Sequence, residues 1–266
     1  MNLPCVLKLL SLDGQKAIIT GAGSGIGQAT AIALANFGAE VMLLDKSSDG
    51  LKETEAKIAE ADGKSQSCVV DISQKGEVDR FFETYQKEHE RLDIFVSNAG
   101  RNIRVNVVDA TEDEFDALMN TNFKGAWFGL QKAARMMQQQ RSGNIVVVTS
   151  INGLLPLSDQ AIYSSTKAAL QSLTQSLAAT LAPYGVRVNS CAPGCILTNI
   201  NNQIFSVPDI YNDKVNKIPL GRLGSPMDIG NVIATMATDA YRFMTGTTVI
   251  VDGGESLRPK TYLGER

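Results

Sequence analysis

Short apolar runs alternate along the chain with longer stretches in which apolar residues recur at helical spacing. Each run ends in a glycine or a polar turn, and most are hydrophobic throughout rather than alternating. Strands of this kind separated by helices are typical of a parallel sheet covered on both faces. The runs are "KAIIT" (16–20), "EVMLLD" (40–45), "QSCVVD" (66–71), "LDIFVSNAG" (92–100), "GNIVVVTS" (143–150), "VRVNSCAPG" (186–194) and "TTVIVDGG" (247–254). The pattern predicts a doubly wound α/β fold with a mainly seven-stranded parallel sheet and helices on both faces.

The length of 266 residues suits one large domain, and no repeat or linker divides the chain. We therefore expect residues 1–266 to form a single dinucleotide-binding and catalytic domain. The longest stretch without a clear pattern follows the sixth run. Because loops at the carboxyl ends of parallel strands border the ligand crevice, we interpret residues 196–220 as a substrate lid.

The net charge of -3 and the mixed distribution of charges leave no basic face for a phosphate backbone, so nucleic acid is not expected as a partner. The opening "MNLPCVLKLLSLDG" is too short for a membrane span or a secretory signal and is interrupted by Lys8. We expect a soluble cytoplasmic protein that does not bind a membrane.

The four cysteines, Cys5, Cys68, Cys191 and Cys195, form no paired C-x-x-C sets. The segment "CAPGC" offers two sulfur ligands, but nothing nearby offers the other two that zinc requires. We expect no metal and interpret these residues as small thiols of a reducing compartment.

A glycine-rich loop, "TGAGSGIG" (20–27), lies between the first strand and an alanine-rich helix. Glycines there let the backbone approach a pyrophosphate, which then faces the amides of the helix N-terminus. As a bare pattern the string is also compatible with a structural turn. Its place between strand and helix favours a nucleotide.

Acidic residues end the next two predicted strands. Asp45 can accept hydrogen bonds from the adenosine ribose and would repel a 2′-phosphate. Ser24 occupies a loop position where an arginine would otherwise bind that phosphate, so NAD is favoured over NADP. Asp45 in a simple turn is the alternative. Asp71 can bond the adenine edge, although capping of the following helix is equally natural.

The segment "YSSTK" places Tyr163 and Lys167 on one helical face. Alone, the pair is compatible with an amphipathic helix and a snorkelling lysine. Ser150 alone is compatible with a strand-end hydroxyl, and Asn122 with a residue that distorts its helix. A serine hydrolase is excluded because no G-x-S-x-G occurs and the only histidine, His89, lies in a charged run.

Taken together and in order, these motifs resemble those of the short-chain dehydrogenase/reductase family in its short form. The glycine loop, "NAG" at 98–100, the asparagine of "NTNFKG", the serine thirteen residues before the tyrosine, Y-x-x-x-K and P-G followed by Thr198 cover nearly the whole chain. The resemblance implies a Rossmann fold, an NAD-dependent oxidoreductase and a homotetramer. One departure is Ser97, where the family frequently has a second asparagine.

Carried over by position, the resemblance assigns roles to individual residues. The catalytic residues it implies are Asn122, Ser150, Tyr163 and Lys167. The cofactor-binding residues are Gly21, Ser24, Gly25, Ile26, Gly27, Asp45, Asp71, Ile72, Asn98, Ala99, Gly100, Tyr163, Lys167, Pro193, Gly194, Ile196 and Thr198. The assembly it implies buries the fourth and fifth predicted helices and the region before "VDGG". Apolar residues of these helices are compatible with such faces and equally with an ordinary core: Trp127, Phe128, Leu170, Leu173 and Leu177.

These residue types suit hydride transfer. A phenol has a pKa of about 10 and is a poor base near neutrality, but a nearby ammonium and an oxidised nicotinamide both favour the phenolate. Lys167 can supply that ammonium and bond the nicotinamide ribose. Ser150 can bond the substrate oxygen. The resemblance implies that Asn122 holds a water connecting the lysine to solvent.

The substrate is less defined by the sequence. Arg101 and Arg104 follow "NAG" at the crevice, and arginine suits a carboxylate or phosphate. Because sugar-acid dehydrogenases of the family often have arginine at the second position, a sugar or anionic sugar is the first expectation; solvated surface charge is the alternative. We also expect Ser150, Asn152 and Tyr163 to contact the substrate.

The lid residues leave two enzyme classes open. One set offers hydrogen bonds to hydroxyls: Asn199, Asn201, Asn202 and Gln203. A second set can close over an acyl chain or a steroid: Ile204, Phe205, Val207 and Ile210. A 3-oxoacyl-thioester or hydroxysteroid-type ketoreductase is therefore the alternative, and an NAD-binding sensor or partner protein is the non-enzyme alternative.

Overall fold

The computed structural model describes residues 3–198 and 201–257. Seven strands form one sheet in the order β3-β2-β1-β4-β5-β6-β7, and every neighbouring pair is parallel. The strands are β1 (Lys16–Thr20), β2 (Glu40–Asp45), β3 (Lys64–Val69), β4 (Ile94–Ser97), β5 (Gly143–Val148), β6 (Val186–Pro193) and β7 (Thr248–Val251). The predicted seven-stranded parallel sheet is confirmed.

The helices connect successive strands. They are α1 (Leu3–Leu10), α2 (Gly25–Asn36), α3 (Ser48–Ala59), α4 (Lys75–Glu88), α5 (Glu112–Leu118), α6 (Ala126–Gln140), α7 (Ala161–Leu181), α8 (Asn202–Phe205), α9 (Pro208–Asn216) and α10 (Pro226–Ala237). A π-helical turn (Met119–Gly125) joins α5 to α6, and short 3-10 turns lie at Ile151–Gly153, Ala182–Tyr184, Asp239–Tyr241 and Glu255–Leu257.

Two hydrophobic layers cover the sheet, because successive strand residues point to opposite faces. In β4, Ile94 and Val96 enter the layer that contains α2, α3 and α10, whereas Phe95 enters the layer of α4, α6 and α7. The same alternation holds in β5, where Val146 and Ile145 face opposite sides. Helices on both faces explain why these runs contain no regular polar positions.

The strand order reverses between β1 and β4. Connections from β1 lead toward β3 on one side, and connections from β4 lead toward β7 on the other. In sheets of this kind the crevice outside the carboxyl ends of the strands at the reversal binds ligands. The glycine loop after β1 and the "NAG" segment after β4 both lie at this crevice.

The structure differs from the sequence prediction at a few elements. β3 begins and ends two residues earlier than the apolar run 66–71, since this edge strand is mostly exposed and its limits follow from pairing of Lys64 with Glu40. The predicted lid is not irregular throughout, because it contains α8 and α9, and the latter begins with Pro208, which suits a first helical turn. In the part of the chain that the structure describes, no helix is long and apolar enough to span a membrane.

Candidate active site

The glycine loop is shaped by close backbone contacts. Gly21 and Gly25 have φ values of +69° and +55°, in the left-handed region that favours glycine. A Cβ at Gly27 would lie 1.9 Å from the carbonyl oxygen of Gly21. Ser24 is the extended N-cap of α2 and its side chain makes no capping hydrogen bond, so the first-turn amides remain available. This arrangement fits a pyrophosphate.

Asn98 joins the glycine loop to the end of β4. Its Nδ2 donates to the carbonyl oxygens of Thr20 (3.0 Å) and Gly21 (3.2 Å). In return, the Thr20 hydroxyl accepts hydrogen bonds from the backbone amides of Asn98 (3.0 Å) and Ala99 (3.1 Å). The Asn98 side chain therefore stabilises the loop, and the adenosine contact expected of this segment stays a prediction.

Asp45 lies directly against the glycine loop. Its Oδ2 accepts from the Gly23 amide at 3.0 Å, and its Oδ1 accepts from the Ser47 amide at 2.9 Å. A Cβ at Gly23 would lie 3.0 Å from the carboxyl carbon of Asp45, so the loop needs glycine there as well. These bonds fix the carboxylate at the side of the crevice that the sequence assigns to the adenosine ribose.

Asp71 and Ile72 follow the next strand. Oδ1 of Asp71 accepts from both the amide (2.9 Å) and the hydroxyl (2.7 Å) of Ser73 in the turn that leads to α4. The N-cap of α4 is Gln74, which makes no side-chain capping hydrogen bond, so Asp71 stabilises the turn and does not cap the helix. The adenine contact of Asp71 stays a prediction. Ile72 is 8% exposed and packs in the layer of α4 and α6.

Asn122 lies in the π-helical turn and is fully buried. Its Oδ1 accepts from the Arg101 amide (2.8 Å), and its Nδ2 donates to the Arg101 carbonyl oxygen (2.9 Å) and the Thr166 hydroxyl (3.3 Å). The sequence hypothesis that this polar residue distorts its helix agrees with the widened turn. Asn122 thus connects the segment after "NAG" to the helix that carries Tyr163.

The crevice brings Ser150, Tyr163 and Lys167 together. Ser150 caps the 3-10 turn after β5 and accepts from the Asn152 amide at 3.1 Å. Tyr163 and Lys167 lie one turn apart on α7, with Nζ of Lys167 5.7 Å from the centre of the Tyr163 ring. Nζ donates to the Val148 carbonyl oxygen at 2.9 Å, which directs the ammonium toward the end of β5.

Gly100 lies close to both Asn122 and Lys167. A Cβ at Gly100 would meet Oδ1 of Asn122 at 3.4 Å and Nζ of Lys167 at 3.6 Å. The backbone of the "NAG" segment therefore passes between the asparagine and the lysine. All four residues that the sequence proposes for catalysis lie around this crevice.

Burial changes the proton affinities of the two ionisable residues. Burial raises the pKa of Tyr163, and a hydrogen bond with Ser150 acts in the opposite direction. Burial also lowers the pKa of Lys167 to about 8. Without cofactor, the phenol is therefore protonated at pH 7 and the lysine is still largely an ammonium.

We expect the pKa of Lys167 to make stability depend on pH. Between pH 8 and the ordinary lysine value of 10.5, the unfolded chain binds more protons than the folded chain, so stability rises with pH. Below pH 8 the buried ammonium costs stability, by about 3 kcal/mol for a pKa difference of this size. Lys167→Met should therefore be more stable than the wild type at pH 7. The difference between their free energies of unfolding should be smaller at pH 9.5.

Urea denaturation of the cofactor-free protein at the two pH values checks this expectation. The raised pKa of Tyr163 acts above pH 10, where the folded chain retains its proton, so it does not reverse the sign within this interval. Lys57→Met is the matched control, because it makes the same substitution at a half-exposed lysine of α3. A Lys167→Met variant less stable than the wild type at pH 7 would contradict the argument.

The segment after β6 returns to the glycine loop. Pro193 ends β6, and a Cβ at Gly194 would lie 2.6 Å from Cβ of Asp252. Ile196 is buried, and the methyl group of Thr198 would lie 3.4 Å from a Cβ at Gly25. This segment therefore closes one side of the crevice, beside the position expected for the nicotinamide.

The structure describes only some of the lid residues that the sequence proposes for hydrogen bonding. Asn199 lies outside the described residues, as does the side chain of Gln203. Oδ1 of Asn201 accepts from the Thr198 amide (2.9 Å), and its Nδ2 donates to the Ile196 carbonyl oxygen (2.8 Å). Asn201 thus stabilises the loop that precedes α8.

The two candidate substrate arginines lie in different surroundings. Arg101 lines a polar cavity of about 300 Å³ together with Ser73, Gln74 and Lys124, beside the turn after β3. Arg104 instead forms an ion pair with Asp159, whose Oδ2 lies 2.5 Å from Nη1. The two arginines therefore do not form one anion site.

Sequence reasoning missed Asp159 and Gln160. Nδ2 of Asn152 and of Asn102 lie 3.0 and 3.1 Å from the end of the Gln160 side chain. With the Gln160 amide oxygen facing Arg104, that oxygen lies 2.9 and 3.1 Å from the two guanidinium nitrogens. The position of both residues, directly before α7 and Tyr163, is the signal that could have pointed to them.

Three of the four cysteines have described side chains. No cluster of metal-ligating side chains occurs within residues 3–198 and 201–257. Cys68, Cys191 and Cys195 are free thiols, and burial raises the pKa of Cys191 to about 12. The side chain of Cys5 lies outside the described residues.

Comparison with known proteins decides the family. A family model described as enoyl-(acyl carrier protein) reductase matches residues 21–256. The chain is a member of the short-chain dehydrogenase/reductase family. As such it is an oxidoreductase that uses a nicotinamide dinucleotide.

Relatives of this short-chain dehydrogenase/reductase differ in their named substrates. L-rhamnose 1-dehydrogenase (NAD(P)(+)) of Azotobacter vinelandii is 36% identical over 92% of this chain and 98% of the relative. A 3-oxoacyl-(acyl-carrier-protein) reductase of Thermotoga maritima is 32% identical over 92% of this chain and 99% of the relative. The solved gluconate 5-dehydrogenase of Burkholderia cenocepacia, in complex with NADP and tartrate, superposes with a TM-score of 0.90 at 28% identity, covering 95% of this chain and 99% of the other.

Proposed function

We propose that this enzyme transfers a hydride between NAD and a secondary alcohol, carbonyl or hemiacetal of a sugar or sugar derivative. The observation that carries the proposal is the meeting of Ser150, Tyr163 and Lys167 at the crevice where the glycine loop opens. An NAD-binding protein without catalysis would not need these three side chains together at the end of β5 and on α7.

The glycine loop, Asp45, the "NAG" segment and the segment 193–198 would hold the dinucleotide. When bound, it accepts or supplies the hydride at its nicotinamide ring. Glycines at 21, 25 and 27 leave room for close backbone approach, and Lys167 can donate to ribose hydroxyls. The fit rests on groups whose positions are fixed by hydrogen bonds within the chain.

Tyr163 and Ser150 handle the substrate oxygen. In the oxidising direction the Tyr163 phenolate takes the hydroxyl proton as the hydride leaves the carbon. The charge of the Lys167 ammonium favours that phenolate, whereas burial raises the pKa of Tyr163 and opposes it. The Ser150 hydroxyl bonds the substrate oxygen and stabilises the charge that develops there. In this proposal Asn122 holds a water that connects Lys167 to solvent.

Asp45 supports NAD rather than NADP. A carboxylate held by two backbone amides cannot easily turn away, so a 2′-phosphate would face a fixed negative charge. The relatives do not decide this point, since one carries the name NAD(P)(+) and a structural neighbour holds NADP.

The sugar reading has support from both the site and the relatives. Arg104, Asp159, Gln160 and Asn152 form a polar cluster that continues to Ser150, and such a surface suits hydroxyl groups. The 3-oxoacyl-thioester or hydroxysteroid ketoreductase remains the second candidate, because Val207 and Ile210 of the lid are exposed and apolar.

The deciding experiment follows the absorbance of reduced nicotinamide with the purified protein and each substrate class. Aldoses, alditols, aldonates and simple secondary alcohols are tested with NAD or NADP, and acetoacetyl thioesters and steroid ketones with NADH or NADPH. Turnover of sugars with NAD supports the proposal. Turnover of ketoacyl thioesters alone would replace it by the second candidate, and tight NAD binding without any turnover would favour the sensor.

Asp45→Ser is the companion variant for the cofactor. Removal of the carboxylate should weaken the binding of NAD and improve the binding of NADP. The kcat/KM for NAD divided by the kcat/KM for NADP should therefore fall. Asp49→Ser, at an exposed acid in the first turn of α3, is the matched control. A wild type that uses NADP better than NAD would contradict the role given to Asp45.

The proposal also covers the oligomeric state of the protein, its location in the cell and its substrate lid. We propose a cytoplasmic homotetramer with residues 196–220 as its substrate lid; a monomeric mass in light scattering would contradict the assembly. Trp127 is 41% exposed and is free to enter an interface, as is Phe115 on α5. Leu170 is 2% exposed and belongs to the core instead.

A further inference from the structure

The start of α7 carries a charge-balanced cluster beside the catalytic serine. The backbone of Val105 pairs with this segment, its amide donating to the Asp159 carbonyl oxygen at 2.9 Å. This pairing holds Arg104 against Asp159 and Gln160. The end of the Gln160 side chain also lies 3.0 Å from Nδ2 of Asn152, whose backbone amide donates to Ser150, so the cluster extends to Ser150. A substrate bonded to Ser150 therefore lies next to this cluster.

The guanidinium of Arg104 is already neutralised. The Asp159 carboxylate contacts Nη1, and the Gln160 oxygen occupies the space between the two terminal nitrogens. A substrate carboxylate at Arg104 would have to displace Asp159 or lie beside it. Either case places two negative charges close together, which is unfavourable.

A second balanced pair faces the same region from the lid side. Lys214 of α9 forms an ion pair with Glu255, whose Oε2 accepts from the Cys195 amide at 2.9 Å. Burial raises the pKa of Cys195 to about 11, and the charges of Lys214, Glu255 and Arg104 also act on it, so these charges surround one loop. The two cations that act on this loop, Lys214 and Arg104, are thus each paired with a carboxylate.

Hydroxyl groups fit this cluster without such a conflict. Oδ1 of Asp159 has no hydrogen-bond donor within the described part of the chain, and the ion pair is almost half exposed. A carboxylate accepts from a hydroxyl, a guanidinium donates to one, and the Asn152 amide can do both. Because this cluster presents donors and acceptors and its Arg104–Asp159 pair has no net charge, it suits a neutral polyol.

We propose that the substrate is a neutral sugar whose hydroxyls contact the Arg104–Asp159 pair, and that Asp159 disfavours sugar acids. The inference rests on the proposed function and narrows its substrate class. It differs from the sequence expectation in giving Arg104 no carboxylate to bind.

The test compares kcat/KM for neutral sugars with that for the aldonates of the same carbon chains, in the wild type and three variants. The wild type should prefer the neutral member of each pair. Asp159→Asn keeps the shape and removes the charge, so the relative kcat/KM for aldonates should rise about tenfold. Asp159→Glu keeps the charge and should keep the wild-type preference.

Arg104→Gln tests whether the arginine binds the hydroxyls of a neutral sugar or the carboxylate of a sugar acid. Under the proposal it raises KM for neutral sugars and gives aldonates no advantage. The proposal would be overturned if the wild type preferred aldonates and Arg104→Gln selectively removed the activity on them. The proposed oxidation of sugars or sugar derivatives would still stand in that case. Absence of turnover with every sugar and sugar acid would instead contradict the proposed function itself, and the inference with it.

Discussion

Tyr163→Phe should lower kcat for alcohol oxidation by about two to four orders of magnitude and leave NADH affinity nearly unchanged. The phenyl ring retains the packing of Tyr163 on α7, and only the proton-accepting oxygen is lost. Lys167 keeps its hydrogen bond to the Val148 carbonyl oxygen, so the cofactor side of the site should remain in place. Steady-state kinetics and fluorescence titration with NADH measure the two effects separately.

The pH profile gives a second readout of the same substitution. In the wild type, oxidation should accelerate with rising pH until the Tyr163 phenolate dominates in the complex, whereas the residual rate of Tyr163→Phe should lose this dependence. Tyr184→Phe is the matched control, since Tyr184 follows the C-terminal end of α7, opposite the end that carries Tyr163, and its ring contacts Arg141. Normal turnover by Tyr163→Phe would exclude Tyr163 as the proton acceptor.

Gly27→Ala should weaken NADH binding by about a hundredfold. The new methyl group would lie 1.9 Å from the Gly21 carbonyl oxygen and 2.5 Å from Nδ2 of Asn98, the atom that holds the loop to β4. Both contacts are too short, so the loop must move away from β4. The amides that would face the pyrophosphate then lose their positions.

Calorimetric titration with NADH and a thermal melt test this substitution together. Gly76→Ala is the control, because a Cβ there meets only the end of the Arg80 side chain at 3.5 Å within helix α4. A folded Gly27→Ala protein with normal NADH affinity would show that close packing at the loop is not required. A cooperative melt with lost affinity is the expected result.

Local patterns in the sequence were sufficient for the sheet, whereas the four proposed catalytic positions came from the resemblance to a family. Buried strands such as β1 and β5 are continuous apolar runs, and the glycine loop follows the first of them directly. Edge strand β3 has few buried residues, so its limits depend on pairing with β2 and not on its own composition. Helices α8 and α9 are short and polar, and their periodicity is correspondingly weak.

Contacts between distant segments could not be predicted in the same way. Arg104 and Asp159 are 55 positions apart, and their pairing depends on the short backbone bridge at Val105. The side chain of Asn98 bonds to residues more than seventy positions earlier, because β4 neighbours β1 in the sheet. Such contacts follow from the order of the strands, which no local pattern contains.

The number of residues in the π-helical turn determines how the helix after it is oriented. A substitution at Asn122 removes a side chain but leaves the widened turn, whereas deletion of one residue from Met119–Gly125 would change the register of everything after it. Since each residue of an α-helix turns the chain by about 100°, α6 would present a different face to the sheet. Leu130 and Met137, now in the core, would rotate away from it. Insertions and deletions in this turn are therefore expected to be tolerated far less than exchanges of single side chains.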